Sequence, residues 1–102
     1  FKEFQMAQYP IVPREGGNFS ALNLTASTIV KASPGTAFRV NVTVAGTTTG
    51  ALYDTNVIAS AAASNLICVV PDIVGTTEIV WPCRTGIVFV PGTGQTASVS
   101  YS

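Results

Sequence analysis

Histidine is absent from this chain of 102 residues, and other residues that support chemistry are scarce. The commonest general base and the commonest zinc ligand are therefore both missing. Two cysteines are too few for a four-thiolate metal site or for a disulfide framework. The composition thus offers no histidine-based catalysis and no thiolate zinc site.

Charge is also scarce, because charged residues form 10% of the chain and the net charge at pH 7 is +0. An average soluble domain has about 25% charged residues. The few basic residues are scattered, so there is no basic patch to hold phosphates, and we expect no nucleic-acid partner. A surface built from Thr, Ser, Asn, Ala and Gly has little charge repulsion and tends to associate. We therefore expect a protein whose exterior is covered by other proteins.

Long hydrophobic runs are missing too. The longest, such as residues 66–70 and 87–90, are far shorter than the ~20 residues of a membrane-spanning helix. The opening FKEFQMAQYP has neither an initiator Met nor a signal-like apolar region with a cleavage site. We expect an untargeted protein without a membrane partner.

The first 17 residues predict an extended N-terminal arm that ends at a Gly16-Gly17 hinge, because prolines at positions 10 and 13 oppose a helix. Exposed apolar side chains on such an arm need a surface on which to dock. That surface could equally be the chain's own domain or a neighbouring subunit. The candidate partner-binding residues are Phe1, Phe4, Met6, Tyr9, Ile11 and Val12.

Residues 18–102 predict one domain, since a chain of this length supports about one core. Apolar and polar residues alternate with period two from Phe19 onward, as in half-buried strands. The clearest strand is 36–44, with Phe38, Val40, Val42 and Val44 on one face and Arg39, Asn41 and Thr43 on the other. Further strands are predicted near 19–26, 28–31, 51–53, 65–70, 76–81, 85–90 and 96–101, with a loop at 58–64.

About seven or eight short strands separated by turn residues predict an all-β fold, a single β-sandwich for which a jelly roll is one topology. The continuous apolar run at 65–70 predicts a strand that is covered on both faces. The final strand should be paired, with its hairpin partner expected at 85–90 across the turn 91–94.

Each candidate for chemistry has a simpler structural interpretation. Asp54, Asp72 and Glu78 could supply paired carboxylates for glycoside hydrolysis, but Asp54 and Asp72 suit turns in which Asp bonds its own backbone. Cys68 and Cys83 could pair, although free buried thiols are favoured. We expect no enzymatic activity, no cofactor and no metal site.

Two aromatic residues leave alternatives open. Trp81 and Tyr53 could stack on a sugar, but Trp81 between Val80 and Pro82 suits a plug in the core or in an interface better.

Two long segments carry a family resemblance. SPGTAFRVNVTVAGTTTGALYD and SNLICVVPDIVGTTEIVWPCRTGIVFVPGTGQTASVSYS resemble small β-domains of tailed-bacteriophage virion proteins, most closely capsid decoration (cement) proteins. The similarity covers roughly residues 27–102 and is most specific at the ending, from Trp81-Pro82-Cys83 to the terminal SVSYS.

The resemblance implies a structural protein of the virion that stabilises the capsid shell by bridging neighbouring capsid subunits. The implied partners are the major capsid protein and further copies of the chain, as a trimer or dimer. The implied location is the capsid surface, after synthesis in the cytoplasm of the host bacterium. Related domains also end fibre-like phage proteins, so a receptor- or glycan-binding domain of a head or tail fibre is the alternative.

Overall fold

The computed structural model describes residues 19–102. The predicted arm, 1–17, and its six candidate partner-binding residues lie outside the described residues. The described part forms two four-stranded antiparallel sheets, and this confirms the predicted all-β sandwich. Its strands are β1 (Phe19–Leu24), β2 (Thr28–Lys31), β3 (Gly35–Val44), β4 (Gly50–Tyr53), β5 (Leu66–Val70), β6 (Gly75–Cys83), β7 (Ile87–Val90) and β8 (Thr96–Tyr101).

The strand order is that of a jelly roll. Sheet A has the order β1-β8-β3-β6, and sheet B has the order β2-β7-β4-β5. The chain resembles one long hairpin wrapped into two layers, because β1 pairs with β8, β2 with β7, β3 with β6 and β4 with β5. Two further pairings, β3 with β8 and β4 with β7, complete the sheets.

The core lies between the sheets, where the inward side chains of both layers meet. Phe89, Leu52 and Ile87 are fully buried at its centre. Burial of each such side chain stabilises the fold by about 1.5–3 kcal/mol. The rest of the buried cluster is formed by Leu24, Ala37, Val40, Val42, Val70, Cys83, Ala97 and Val99.

The final strand does not pair with residues 85–90 as predicted, and lies instead between β1 and β3. The connection 91–95 carries the chain from sheet B to sheet A rather than closing a hairpin. Buried Gln95 fixes this crossing, since its side chain accepts a hydrogen bond from Gly92 N at 3.0 Å and donates one to the Pro71 carbonyl at 2.7 Å. Gly92 lies so close to the Thr48 backbone that a side chain would not fit there.

Two strands depart from simple alternation. In β3, Ala37 and Val40 both join the core because the pairing shifts between Ala37 and Arg39. Val44 is 51% exposed after a second shift between Val42 and Val44, so it leaves the face predicted for it. In β1, a shift between Ala21 and Leu24 leaves Leu22 69% exposed while Leu24 stays buried.

The prediction that residues 65–70 are covered on both faces is wrong. β5 is an edge strand of sheet B, and its Val69 is 55% exposed. A β-branched apolar run looks the same whether its outer face is covered by the same chain or left open.

Strand β6 continues through Pro82 instead of ending there, with Pro82 opposite Thr36 in the register. An edge strand tolerates proline because the missing N–H can be on the unpaired side. The loop expected at 58–64 contains two single-turn 3₁₀ helices, Ile58–Ser60 and Ala63–Asn65. None of the helices within residues 19–102 has the length or apolar character to cross a membrane.

Candidate interaction surfaces

The outward face of sheet A is mostly polar, although Leu22 of β1 is 69% exposed. Cross-strand neighbours in the register there are Ser20 with Ser100, Arg39 with Glu78, and Asn41 with Ser98. Small side chains on β1 and β8 beside longer ones on β3 leave a shallow depression of about 300 Å³. This depression is lined by Ser20, Arg39, Asn41, Thr76, Ser98, Val99 and Ser100.

Several polar groups on this face bond to one another. The Arg39 guanidinium lies 2.9 Å from the Glu78 carboxylate, and the Thr76 hydroxyl donates to the Asn41 side-chain oxygen at 3.0 Å. The Arg39–Glu78 pair is well exposed, so it contributes little to stability. The outward face of sheet A thus has the character of a water-facing surface.

The outward face of sheet B is apolar, and we call its two cross-strand rows the apolar face. The first row runs across β2, β7 and β4 as Ile29, Val88 and Tyr53. The second runs across β7, β4 and β5 as Val90, Ala51 and Val69. These residues alternate with Ile87, Phe89 and Leu52 of the core, so they point away from it.

The apolar face carries no charged side chain in either row. Its exposure is confined to its ends, where Ile29 is 41% exposed and Val69 is 55% exposed. By contrast, Val88 at the centre of the first row is fully buried, and the remaining residues of the two rows are half-buried, namely Tyr53, Ala51 and Val90. A polar sheet face can remain in water, whereas exposed apolar surface costs free energy until it is covered. The exposed ends of the apolar face are therefore the leading candidates for contact with another protein.

A second apolar area follows the side of the sandwich where β5 and β6 form free edges. Residues 71–74 join these two strands, and Ile73 and Val74 are 66% and 63% exposed. Trp81 in β6 is 50% exposed. The interpretation of Trp81 as a core plug is therefore wrong, because it lies on an edge strand with nothing from the described residues over half of its surface.

Asp54 is a structural anchor. Its carboxylate accepts hydrogen bonds from the backbone N–H groups of Arg84 at 3.0 Å, Thr85 at 2.9 Å and Gly86 at 3.3 Å. Burial alone would raise the pKa of Asp54, but these three donors and the Arg84 charge together lower the pKa below 3.8. Asp54 thus bonds a distant turn, not its own backbone as predicted.

The three candidate carboxylates have separate surroundings. Asp54 holds the turn before β7, Glu78 pairs with Arg39 on sheet A, and Asp72 lies in the β5–β6 connection. Within residues 19–102, no three His, Cys, Asp or Glu side chains are grouped so as to hold a metal ion.

Both cysteines are free thiols, as favoured by the sequence. Burial, with a smaller effect of the nearby Asp54 charge, raises the pKa of Cys83 to about 11. Burial also raises the pKa of Cys68. A thiol must ionise to act as a nucleophile, so both environments favour an inert packing role.

Comparison of the chain with protein-family models, with curated proteins and with solved structures finds no match.

The candidate surfaces differ from the predicted ones. The six arm residues lie outside the described part of the chain, and the apolar face was not predicted. A signal for it exists in the sequence, because residues 66–70 and 87–90 are apolar at both parities of the strand period. Such runs show two apolar faces but do not show which partner covers the outer one.

Proposed function

We propose that this chain is a structural protein of a bacteriophage virion, a decoration protein that stabilises the capsid by bridging neighbouring capsid subunits. The observation that carries the proposal is the asymmetry of the sandwich, with a mostly polar outward face on sheet A and, on sheet B, an uncharged apolar face whose ends, Ile29 and Val69, are exposed. A protein that lies flat on a shell needs one face for the shell and one for water.

Two further points support this proposal. The resemblance of residues 27–102 to decoration domains implies the same role. Jelly rolls are also frequent in viral capsid proteins, although fold analogy alone does not establish function. The proposed partners are the major capsid protein and other copies of this chain, and the proposed location is the capsid surface.

The proposal is tested by mixing the purified protein with expanded phage capsids and measuring how much protein sediments with them. Ile29→Lys places a charge on the exposed end of the apolar face and should weaken capsid binding by about tenfold or more, because that charge would be desolvated on docking. Thr43→Lys is the matched control, since Thr43 is exposed on a strand of sheet A and the same charge there should leave binding unchanged.

Equal capsid binding by both variants would show that the apolar face does not contact the shell. Failure of the unmodified protein to bind any expanded capsid would remove the decoration role itself.

A second candidate function, recognition of a host receptor or glycan, is favoured by the exposure of Trp81. A half-exposed indole on an edge strand provides a flat apolar ring on which a sugar could stack. If this function holds, the protein should bind cells or glycan arrays and Trp81→Ala should abolish that binding. A decoration protein should bind capsids and ignore both.

A further inference from the structure

The four free edges of the two sheets are not equally protected against pairing with another strand. Natural proteins protect edges with bulges, prolines, charges or short strands. β1 is interrupted by a register shift at Asn23, whose φ is 57°, and β2 is four residues long and ends in Lys31. β6 contains Glu78, Pro82 and a register shift opposite β3.

Strand β5 has none of these charges or prolines. Its pairing with β4 shifts once near Leu66, but Cys68, Val69 and Val70 stay in regular register with Leu52, Ala51 and Gly50. In the part of the chain that the structure describes, no backbone group bonds to the outer side of β5. The strand therefore presents regular N–H and C=O groups that can pair with one more extended strand.

Charge indicates which strand can pair there. Residues 64–71, which include all of β5, contain no charged side chain. Antiparallel pairing of β5 with β5 of a second copy places apolar side chains opposite apolar side chains, with no like charges brought together. The same arrangement at the β2 or β6 edge would bring two Lys31 or two Glu78 side chains into one small interface.

We propose that a second copy of this chain pairs through β5, giving a twofold dimer with one continuous eight-stranded sheet. The strand order is β2-β7-β4-β5 in one copy, followed by β5-β4-β7-β2 in the other. The second row of the apolar face then continues from Val69 of one copy into the other. Exposed Ile73 and Val74, next to β5 in the chain, add apolar area at the margins of the contact. This inference does not depend on the proposed capsid role.

The interface is small, since a stable complex typically buries about 800 Å² on each partner and a five-residue strand supplies only part of that. We therefore expect a dimer that dissociates on dilution. Attached to a surface at high local concentration, the same contact would be more fully occupied.

The test is sedimentation velocity on the full-length protein over a concentration series. The unmodified chain should change from monomer to dimer as concentration rises. Val69→Lys should raise the dissociation constant by about tenfold or more, because it would bring two ammonium groups into one small apolar interface. Leu22→Lys is the matched control, because Leu22 is even more exposed but lies on β1, and it should dimerise like the unmodified chain.

A second measurement locates the contact. Hydrogen exchange of the β5 amides should slow as the protein becomes dimeric, and this protection should be missing in Val69→Lys at the same concentration. Unchanged exchange in β5 while the dimer forms would place the interface elsewhere and overturn the proposal.

Other oligomers and occupants give different results. A protein that stays monomeric at every concentration, or one that forms a trimer, overturns the proposal, since antiparallel self-pairing closes with two copies. Phe4→Lys with Met6→Lys, made in the full chain, tests the N-terminal residues as the occupant of the edge. If this double variant weakens the dimer as strongly as Val69→Lys does, the N-terminal residues, and not β5 of the second copy, occupy the edge.

Discussion

Asp54 shows how a single carboxylate can replace secondary structure in holding a turn. Residues 84–86 lie between β6 and β7, where their N–H groups have no strand partner, and Asp54 accepts hydrogen bonds from all three. Hydrogen bonds to a charged acceptor are stronger than neutral ones, so the charge on Asp54 contributes to folding. Sequence placed Asp54 in a turn but gave no information about which distant backbone it would meet.

The lowered pKa of Asp54 predicts a specific dependence of stability on pH. Because the folded pKa is below the unfolded one, the contribution of Asp54 is fully present above about 3.8 and is lost as the pH falls through the folded pKa. Asp54→Asn should therefore lower the free energy of unfolding at neutral pH by about 1–2 kcal/mol, and its effect should shrink in acid. Urea unfolding of both proteins at neutral pH and in acid measures the difference in free energy of unfolding.

Asp72→Asn is the control for that measurement. It removes the same charge from a residue whose carboxylate makes no hydrogen bond among residues 19–102. An equal effect of Asp72→Asn would show that net charge, and not the hydrogen bonds of Asp54, determines acid stability.

Gln95 is the second side chain that stabilises a connection between strands. It is 1% exposed, and both its amide oxygen and its amide nitrogen make hydrogen bonds to the backbone. Gln95→Ala should lower the free energy of unfolding by about 1–3 kcal/mol, since the Pro71 carbonyl and the Gly92 N–H would lose their buried partner. Thermal or urea unfolding checks this. Thr47→Ala removes an exposed 3.4 Å hydrogen bond to the same loop and should change stability by less than about 0.5 kcal/mol.

At the level of elements, β6 contains a local backbone distortion that the sequence does not predict. Val80 has a φ of 48°, in the left-handed region that β-branched residues avoid, where two residues of β6 pass one residue of β3. The cost of such a backbone is about 1–2 kcal/mol. Val80 is 48% exposed, so little burial offsets it.

We expect Val80→Asn to raise the free energy of unfolding by about 0.5–1 kcal/mol, because Asn adopts the left-handed region more readily. The measurement is a comparison of urea unfolding midpoints. Val44→Asn is the control: Val44 is similarly exposed, at 51%, but has no positive φ, so this change should not stabilise the protein. Equal gains from both variants would mean that the Val80 backbone is not strained.

The elements themselves were largely predictable, and their partners were not. Alternation located the strands at 28–31, 36–44 and 96–101 close to their final bounds because each has one face in the core. The same signal could not assign β8 to sheet A, because a strand shows the same alternation whether it pairs with β7 in sheet B or lies in the opposite sheet. It also could not reveal that β5 is an edge, because an open apolar face and a covered one have the same composition.

At the level of the whole molecule, fold class followed from the sequence while the candidate surface did not. The scarcity of charge predicted a protein that associates, but it did not indicate where. The two faces become distinguishable only once the register brings Ile29, Val88 and Tyr53 into one row and Arg39 and Glu78 into another. The proposed function rests on a resemblance and on that asymmetry, so the capsid-binding measurement is its most direct test.

The position of β8 also determines when the protein can fold during synthesis. β8 lies between β1 and β3, with Phe19 paired to Tyr101. Sheet A therefore cannot form completely until β8 has been synthesised. On a ribosome, strands β1 to β7 would emerge before the strand that joins them. Pairings between distant parts of a chain also form slowly. Core residues Val40 and Val42 of β3 would therefore lack their neighbours Val99 and Ala97 until β8 has emerged, and folding would have to wait for the last strand.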